Sequence, residues 1–116
     1  MAKRAESPQA YFGGCQEANR ETLERVFSEA REALPGHGIS MKYGFPLLDG
    51  HGKFGVAERS GGIVFYFHHD GLADAVERAR PVLGPFKLEK ESLRYRKATD
   101  IPVAAVVALA RELFAS

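Results

Sequence analysis

The sequence has no tryptophan, only two methionines, and a single cysteine, Cys15. One thiol cannot form an intramolecular disulfide, so the fold has to hold by packing, and the composition suits a reducing compartment. Charge of one sign is also missing. Sixteen basic and 15 acidic residues leave a net charge of +1. That balance lacks the basic excess of a nucleic-acid binder, and no like-charge run is long enough to be a tail. The longest apolar stretches, residues 63–67 and 103–110, fall far short of the ~20 residues that a membrane-spanning helix needs. Residues 1–6 carry positive charge with no apolar segment behind them, so they do not read as a secretory signal. These absences predict a soluble, cytoplasmic protein with no membrane partner and no favoured nucleic-acid partner.

Catalytic motifs are missing too. Gly50-His51-Gly52 lacks the continuation of a dinucleotide fingerprint, and there is no phosphate-binding loop, no GxSxG and no HExxH. The chain therefore reads as non-enzymatic. An enzyme built on Cys15 or the histidines is the least favoured alternative, although two glycines and a nearby helix start are a setting that can lower a thiol pKa.

What is present suits one domain. The chain has 116 residues, of which 45% are hydrophobic and 27% charged, ordinary values for a globular fold. Residues 1–7 read as a frayed leader. Ser7-Pro8 opens a short helix, which Gly13-Gly14 ends. Residues 16–33 read as the long helix, with Leu23, Val26, Phe27, Ala30 and the following Leu34 in one stripe that Pro35-Gly36 stops. The period then changes to two. Residues 39–43 read as a strand, bent at Gly44-Phe45-Pro46. Asp49-Gly50-His51-Gly52 reads as a turn, residues 53–58 as a strand, and Arg59-Ser60-Gly61-Gly62 as a hairpin loop. Residues 63–68 are apolar on both faces, which marks a central strand. Asp70 is placed to cap a helix over residues 71–80. Residues 81–85 read as a loop and residues 92–96 as a last short strand. Asp100-Ile101-Pro102 opens a final helix to about Phe114. The predicted order is α, α, β, β, β, α, β, α. This is an α+β fold, a small antiparallel sheet with helices packed on one face.

Three side-chain sets carry candidate chemistry. Glu17, Glu21 and Glu24 line one face of the long helix, and a carboxylate row can bind hard cations. Its bland reading is a solvated face with Arg20 and Arg25 as ion-pair partners. His68-His69-Asp70 is the one local cluster of metal-ligand character. Neighbouring strand residues point to opposite faces, so it works only if the strand ends between the histidines. Finally, Lys87, Lys90, Arg94, Arg96 and Lys97 surround the last strand with Phe86 and Tyr95 interleaved. This is a surface for an anion, or a charged edge that discourages strand pairing.

Several segments resemble the YdhG-like family, whose function is unknown. They are Ala33-Leu34-Pro35-Gly36, Met41-Lys42-Tyr43-Gly44-Phe45-Pro46, Ile63-Val64-Phe65-Tyr66-Phe67, Lys90-Glu91-Ser92-Leu93-Arg94-Tyr95, and Asp100-Ile101-Pro102 with the apolar helix behind it. The resemblance spans about residues 10 to 115. Two positions depart from the family pattern: Gly61-Gly62 replaces a Lys-His pair, and Glu91 replaces a glycine. The resemblance implies a single YdhG-like α+β domain over residues 1–116. It also implies kinship with frataxin-like intracellular iron chaperones, so iron is the expected ligand, with Glu17, Glu21 and Glu24 as first ligand set and His68, His69 and Asp70 as second. The alternative is a protein-interaction or small-ligand module. It would use an aromatic surface around Tyr43, Phe45, Phe65 and Tyr95, with Lys90 and Arg94 beside it.

Overall fold

The computed structural model describes residues 5–60 and 62–115. Most of the expected leader, and Gly61 of the expected hairpin loop, lie outside those residues. Four helices and six strands are present among them: α1 (Pro8–Gly13), α2 (Glu17–Ala33), β1 (Gly38–Ser40), β2 (Leu47–Gly50), β3 (Gly52–Arg59), β4 (Gly62–His68), α3 (Leu72–Ala79), β5 (Lys87–Glu89), β6 (Ser92–Tyr95) and α4 (Val103–Phe114). The strands form one antiparallel sheet in the order β1-β2-β3-β4-β6-β5. The α+β class expected from the sequence is the class observed.

Two strands, β2 and β5, were not expected. Residues 39–43 do not form one strand. The chain leaves β1 after Ser40, whose Oγ accepts the Lys42 N–H at 3.2 Å. It turns with the Gly44 N–H donating to the Met41 carbonyl at 2.9 Å. Gly44 sits at φ 86, where a side chain would be strained. After Pro46 the chain returns as β2, so residues 47–50 form a strand where a turn was predicted to begin. The turn itself shrinks to His51, between the paired Gly50 and Gly52. Likewise β5 pairs with β6, with Leu88 opposite Leu93, where a basic stretch without a strand was expected.

The helix starts follow local chemistry. Ser7 Oγ accepts the Ala10 N–H at 3.1 Å and Pro8 occupies the first turn of α1. Gln16, ahead of α2, offers no side-chain cap. A carboxylate from the sheet replaces it, because Glu58 on β3 accepts the Gln16 N–H at 3.0 Å and the Asn19 Nδ2–H at 2.6 Å. Asp70 does not cap α3. Gly71 holds the cap position, and its N–H donates to His69 Nδ1 at 2.9 Å.

One face of the sheet is covered. Leu48, Phe54, Val56, Ile63, Phe65, Phe67, Leu93 and Tyr95 pack there against Leu23, Val26, Phe27 and Ala30 of α2 and Val106, Leu109, Ala110 and Leu113 of α4. The opposite face carries the alternate residues: Leu47, Lys53, Gly55, Ala57, Val64, Tyr66, His68 and Arg94. Helices α2 and α4 lie on the other face, and Tyr11 of α1 reaches this one. The loop between β1 and β2 folds over part of this face and forms a second, small apolar cluster of Phe45, Leu47 and Ala57, with Tyr11 and Tyr66 against it. Among the described residues no helix is long and apolar enough to cross a membrane.

Candidate functional site

The open face owes its shape to two small residues on β3. A Cβ at position 55 would lie 2.6 Å from Phe45 Cε1 and 2.9 Å from Leu47 Cδ2, so only glycine lets the Phe45 ring come down onto the sheet. Ala57 is fully buried beneath the same cluster. Phe45 then stacks on Tyr66, with ring centroids 5.0 Å apart and 19° between planes. Tyr43 stands at the lip, 6.2 Å from Phe45 and 54% exposed. Offset stacking of this kind contributes about 0.5–1.5 kcal/mol beyond area burial.

Beside the stack lies a cleft of about 350 Å³ lined by Tyr43, Phe45, Leu47, Lys53, Tyr66, His68 and Glu91. That volume is at the small end of ligand pockets, about 300–1,000 Å³. His68 Nδ1 meets Glu91 Oε1 at 3.1 Å, joining the end of β4 to the β5–β6 turn. The same pair borders a second, more polar cavity of about 620 Å³ that also takes in Gly50, His51, His69, Asp70 and Lys90. The His68–Glu91 pair is thus the partition between the two.

Among the described residues Lys53 takes no part in an ion pair or a side-chain hydrogen bond. Its cross-strand neighbours are Asp49 and His68. Each is already engaged: Lys42 Nζ bonds Asp49 Oδ2 at 3.1 Å, and His68 holds Glu91.

The residues singled out from the sequence separate in space. Tyr43 and Phe45 belong to the cleft, but Phe65 and Tyr95 do not join them. Both point to the covered face and are fully buried. The Tyr95 hydroxyl donates to the Leu83 carbonyl at 2.6 Å, and burial raises its pKa above the usual tyrosine range. The reason is the two-residue period of the strands: Phe65 and Tyr66 are neighbours, so they face opposite ways. Arg94 pairs with Glu89, Nε to Oε2 at 3.3 Å, and Lys90 borders the larger cavity. Of the expected basic stretch, Lys87 and Arg94 are cross-strand partners, and Arg96 and Lys97 line a separate pocket.

The two candidate metal sets do not converge. Glu17, Glu21 and Glu24 are exposed along α2. His68 turns to Glu91, while His69 turns back onto Gly71 and packs edge-on against Phe114, centroids 5.7 Å apart. Among the described residues no three His, Cys, Asp or Glu side chains are grouped closely enough to hold a metal ion.

Cys15 is buried in the helical layer, and its Sγ–H donates to the Tyr11 carbonyl at 3.4 Å. Burial first, and the Glu58 carboxylate second, push its thiol up to about 11. The expected effect of a helix start is overridden, because the Cys15 side chain faces the core and Glu58 occupies that end of α2.

Sequence reading missed Lys53, Leu47, Tyr66 and Glu91 as cleft residues. The alternation in residues 53–58 and 63–68 carried the necessary signal, since it places Lys53, Gly55 and Ala57 with Tyr66 and His68. The small residues at 55 and 57 marked the side on which another segment approaches. No family model matches the chain, and no curated protein or solved structure matches it.

Proposed function

We propose that this chain is a binding domain that takes a small planar ligand in the cleft beside the Phe45–Tyr66 stack. The observation that carries this reading is the held position of Phe45. It is stacked on one side, seated over Gly55 below, and joined at the lip by the exposed Tyr43. A ring entering the cleft meets aromatic walls that are already ordered, so binding costs little side-chain entropy.

A YdhG-like relationship is part of the same proposal. Three of the segments that resemble the family contribute to this one cleft: residues 41–46 through Tyr43 and Phe45, residues 63–67 through Tyr66, and residues 90–95 through Glu91. Glu91 is also one of the two departures from the family pattern. A ligand held here therefore meets a carboxylate–histidine partition where the pattern has glycine. The iron-handling role implied by the resemblance draws no support from the arrangement of the carboxylates on α2.

The test is a titration with a neutral aromatic fragment, 2-naphthalenemethanol, followed by amide chemical shifts. Shifts confined to residues 43–47, 53–55, 66–68 and 91, and lost in Tyr66→Ala, are the expected result. A response spread over the surface, or none, sinks the proposal.

A further inference from the structure

The charges around the cleft point to the chemical class of its ligand, an inference that rests on the cleft being a binding site. Each aromatic wall already has a resident cation. The Arg59 guanidinium lies 5.1 Å from the Phe45 ring centroid and 6.0 Å from that of Tyr66. Lys42 Nζ lies 5.4 Å from the Tyr43 centroid. An aromatic cage recruits a cationic ligand through the negative faces of its rings. Here those rings are already partnered, and the one lysine of the cleft lining, Lys53, would repel an incoming ammonium group.

The carboxylates near the cleft are committed. Asp49 is bonded by Lys42 and Glu91 by His68. In the cleft lining the charged residues are Lys53 and Glu91, the second held by His68, and Lys42 and Arg59 add positive charge against the rings of its walls. Arg59 donates from Nε to the Tyr66 hydroxyl at 3.4 Å, whereas Lys53 has neither an ion pair nor a side-chain hydrogen bond among the described residues, and it lines the cleft itself. Lys53 is partly buried, so an ion pair formed there is screened less by water than one on the open surface.

We infer that the cleft selects a planar aromatic ring bearing a single carboxylate. The ring lies against Tyr43, Phe45 and Tyr66, and the carboxylate accepts from the Lys53 ammonium. A ring system of about a dozen heavy atoms fits a cleft of this size. His68, the cross-strand neighbour of Lys53, and Glu91, bonded to one another, close the cleft beside the ligand carboxylate and limit the length of the ligand.

Three probes of nearly equal shape test this: 2-naphthoate, neutral 2-naphthalenemethanol, and (2-naphthylmethyl)trimethylammonium. Each is titrated at low ionic strength into the wild-type chain and into Lys53→Met and Lys53→Arg, with amide shifts as the readout. The expected result is naphthoate binding about tenfold tighter than the neutral probe, a difference of about 1.4 kcal/mol. The trimethylammonium compound should bind weakest. Lys53→Met should erase the tenfold ratio between naphthoate and the neutral probe, read as a ratio within that one variant, and Lys53→Arg should keep most of it. Equal affinities for the anionic and neutral probes, both mapped to the cleft, would overturn the anion inference and leave the cleft standing as a site. Tightest binding by the trimethylammonium compound would overturn it in favour of a cation cage. If no probe perturbs the cleft residues, the site and its ligand class fall together.

Discussion

At the scale of single residues, the cleft depends on what position 55 leaves out. Gly55→Ala puts a methyl group where Phe45 and Leu47 now sit, so the ring has to lift or the strands have to part. Such overpacking costs about 1–3 kcal/mol. Urea denaturation should show that loss, together with shifted Tyr66 amide resonances. An alanine variant as stable as the parent, with Tyr66 unmoved, would mean Phe45 is not seated as described. Tyr95 makes a different kind of contact, one polar bond inside the covered core. Tyr95→Phe leaves the ring packed but strips the Leu83 carbonyl of its donor at 2.6 Å. A buried acceptor left unpaired costs about 1–3 kcal/mol, to be read as a lower denaturation midpoint with an unchanged m-value. Cys15 allows a chemical check of burial. With its thiol at about 11, about one molecule in 3,000 carries the thiolate at pH 7.5. Iodoacetamide at that pH should leave the folded protein unmodified for as long as urea-unfolded chain takes to react completely. Rapid labelling of the folded chain would show that Cys15 is accessible and acidic.

At the scale of elements, the long helix is started by a strand. The Glu58 carboxylate from β3 takes the place of a local cap on α2, and the Tyr11 hydroxyl accepts the Glu58 backbone N–H at 2.8 Å. This one residue ties α1, α2 and β3 together. Glu58→Ala should cost about 1–2 kcal/mol, the worth of a lost cap near a helix N-terminus. Hydrogen exchange should speed first in the opening turn of α2, and uniform acceleration across the chain would argue against a capping role. No pattern in the sequence announces this contact, because 42 residues separate Gln16 from Glu58. The helices themselves were legible. The apolar stripes of α2 and α4 and the Ser7-Pro8 start of α1 are local signals, and the structure follows them. Missed strands have equally local causes. Leu47 and Leu48 sit between Pro46 and Asp49-Gly50, so turn residues crowd a four-residue strand from both sides. Lys87–Glu89 is a three-residue edge strand whose pattern is too short to show alternation. The cap expected from Asp70 failed because the imidazole of His69 reaches the Gly71 N–H instead.

At the scale of the whole molecule, the sheet divides the chain into a covered face and an open one, and this division decides which aromatic residues can meet a ligand. Tyr43 and Phe45 were legible as surface candidates. Phe65 and Tyr95 were assigned to the same surface although the two-residue alternation of their strands puts both opposite Tyr66, on the covered face. The open face joins the core at the β1–β2 end, where His37 packs against Phe114, centroids 6.2 Å apart, and its Nε2 accepts the His51 N–H at 3.2 Å. Burial chiefly, then the nearby His51, lower the His37 pKa below its ordinary 6.5, while Asp49 opposes them. The unfolded chain therefore takes up this proton at a higher pH than the folded chain does. Stability supplied by neutral His37 is fully present above about 6.5 and is lost as pH falls through the lower folded value. His37→Gln keeps an acceptor for the His51 N–H but has no proton to gain. Denaturation midpoints of parent and variant should diverge most above pH 7 and draw together toward pH 5, the parent losing more stability over that interval. A difference that stays constant from pH 7.5 to pH 5 would show that His37 titrates alike in the folded and unfolded chains. The burial of its ring between Gly50 and Phe114 would then not be holding it neutral.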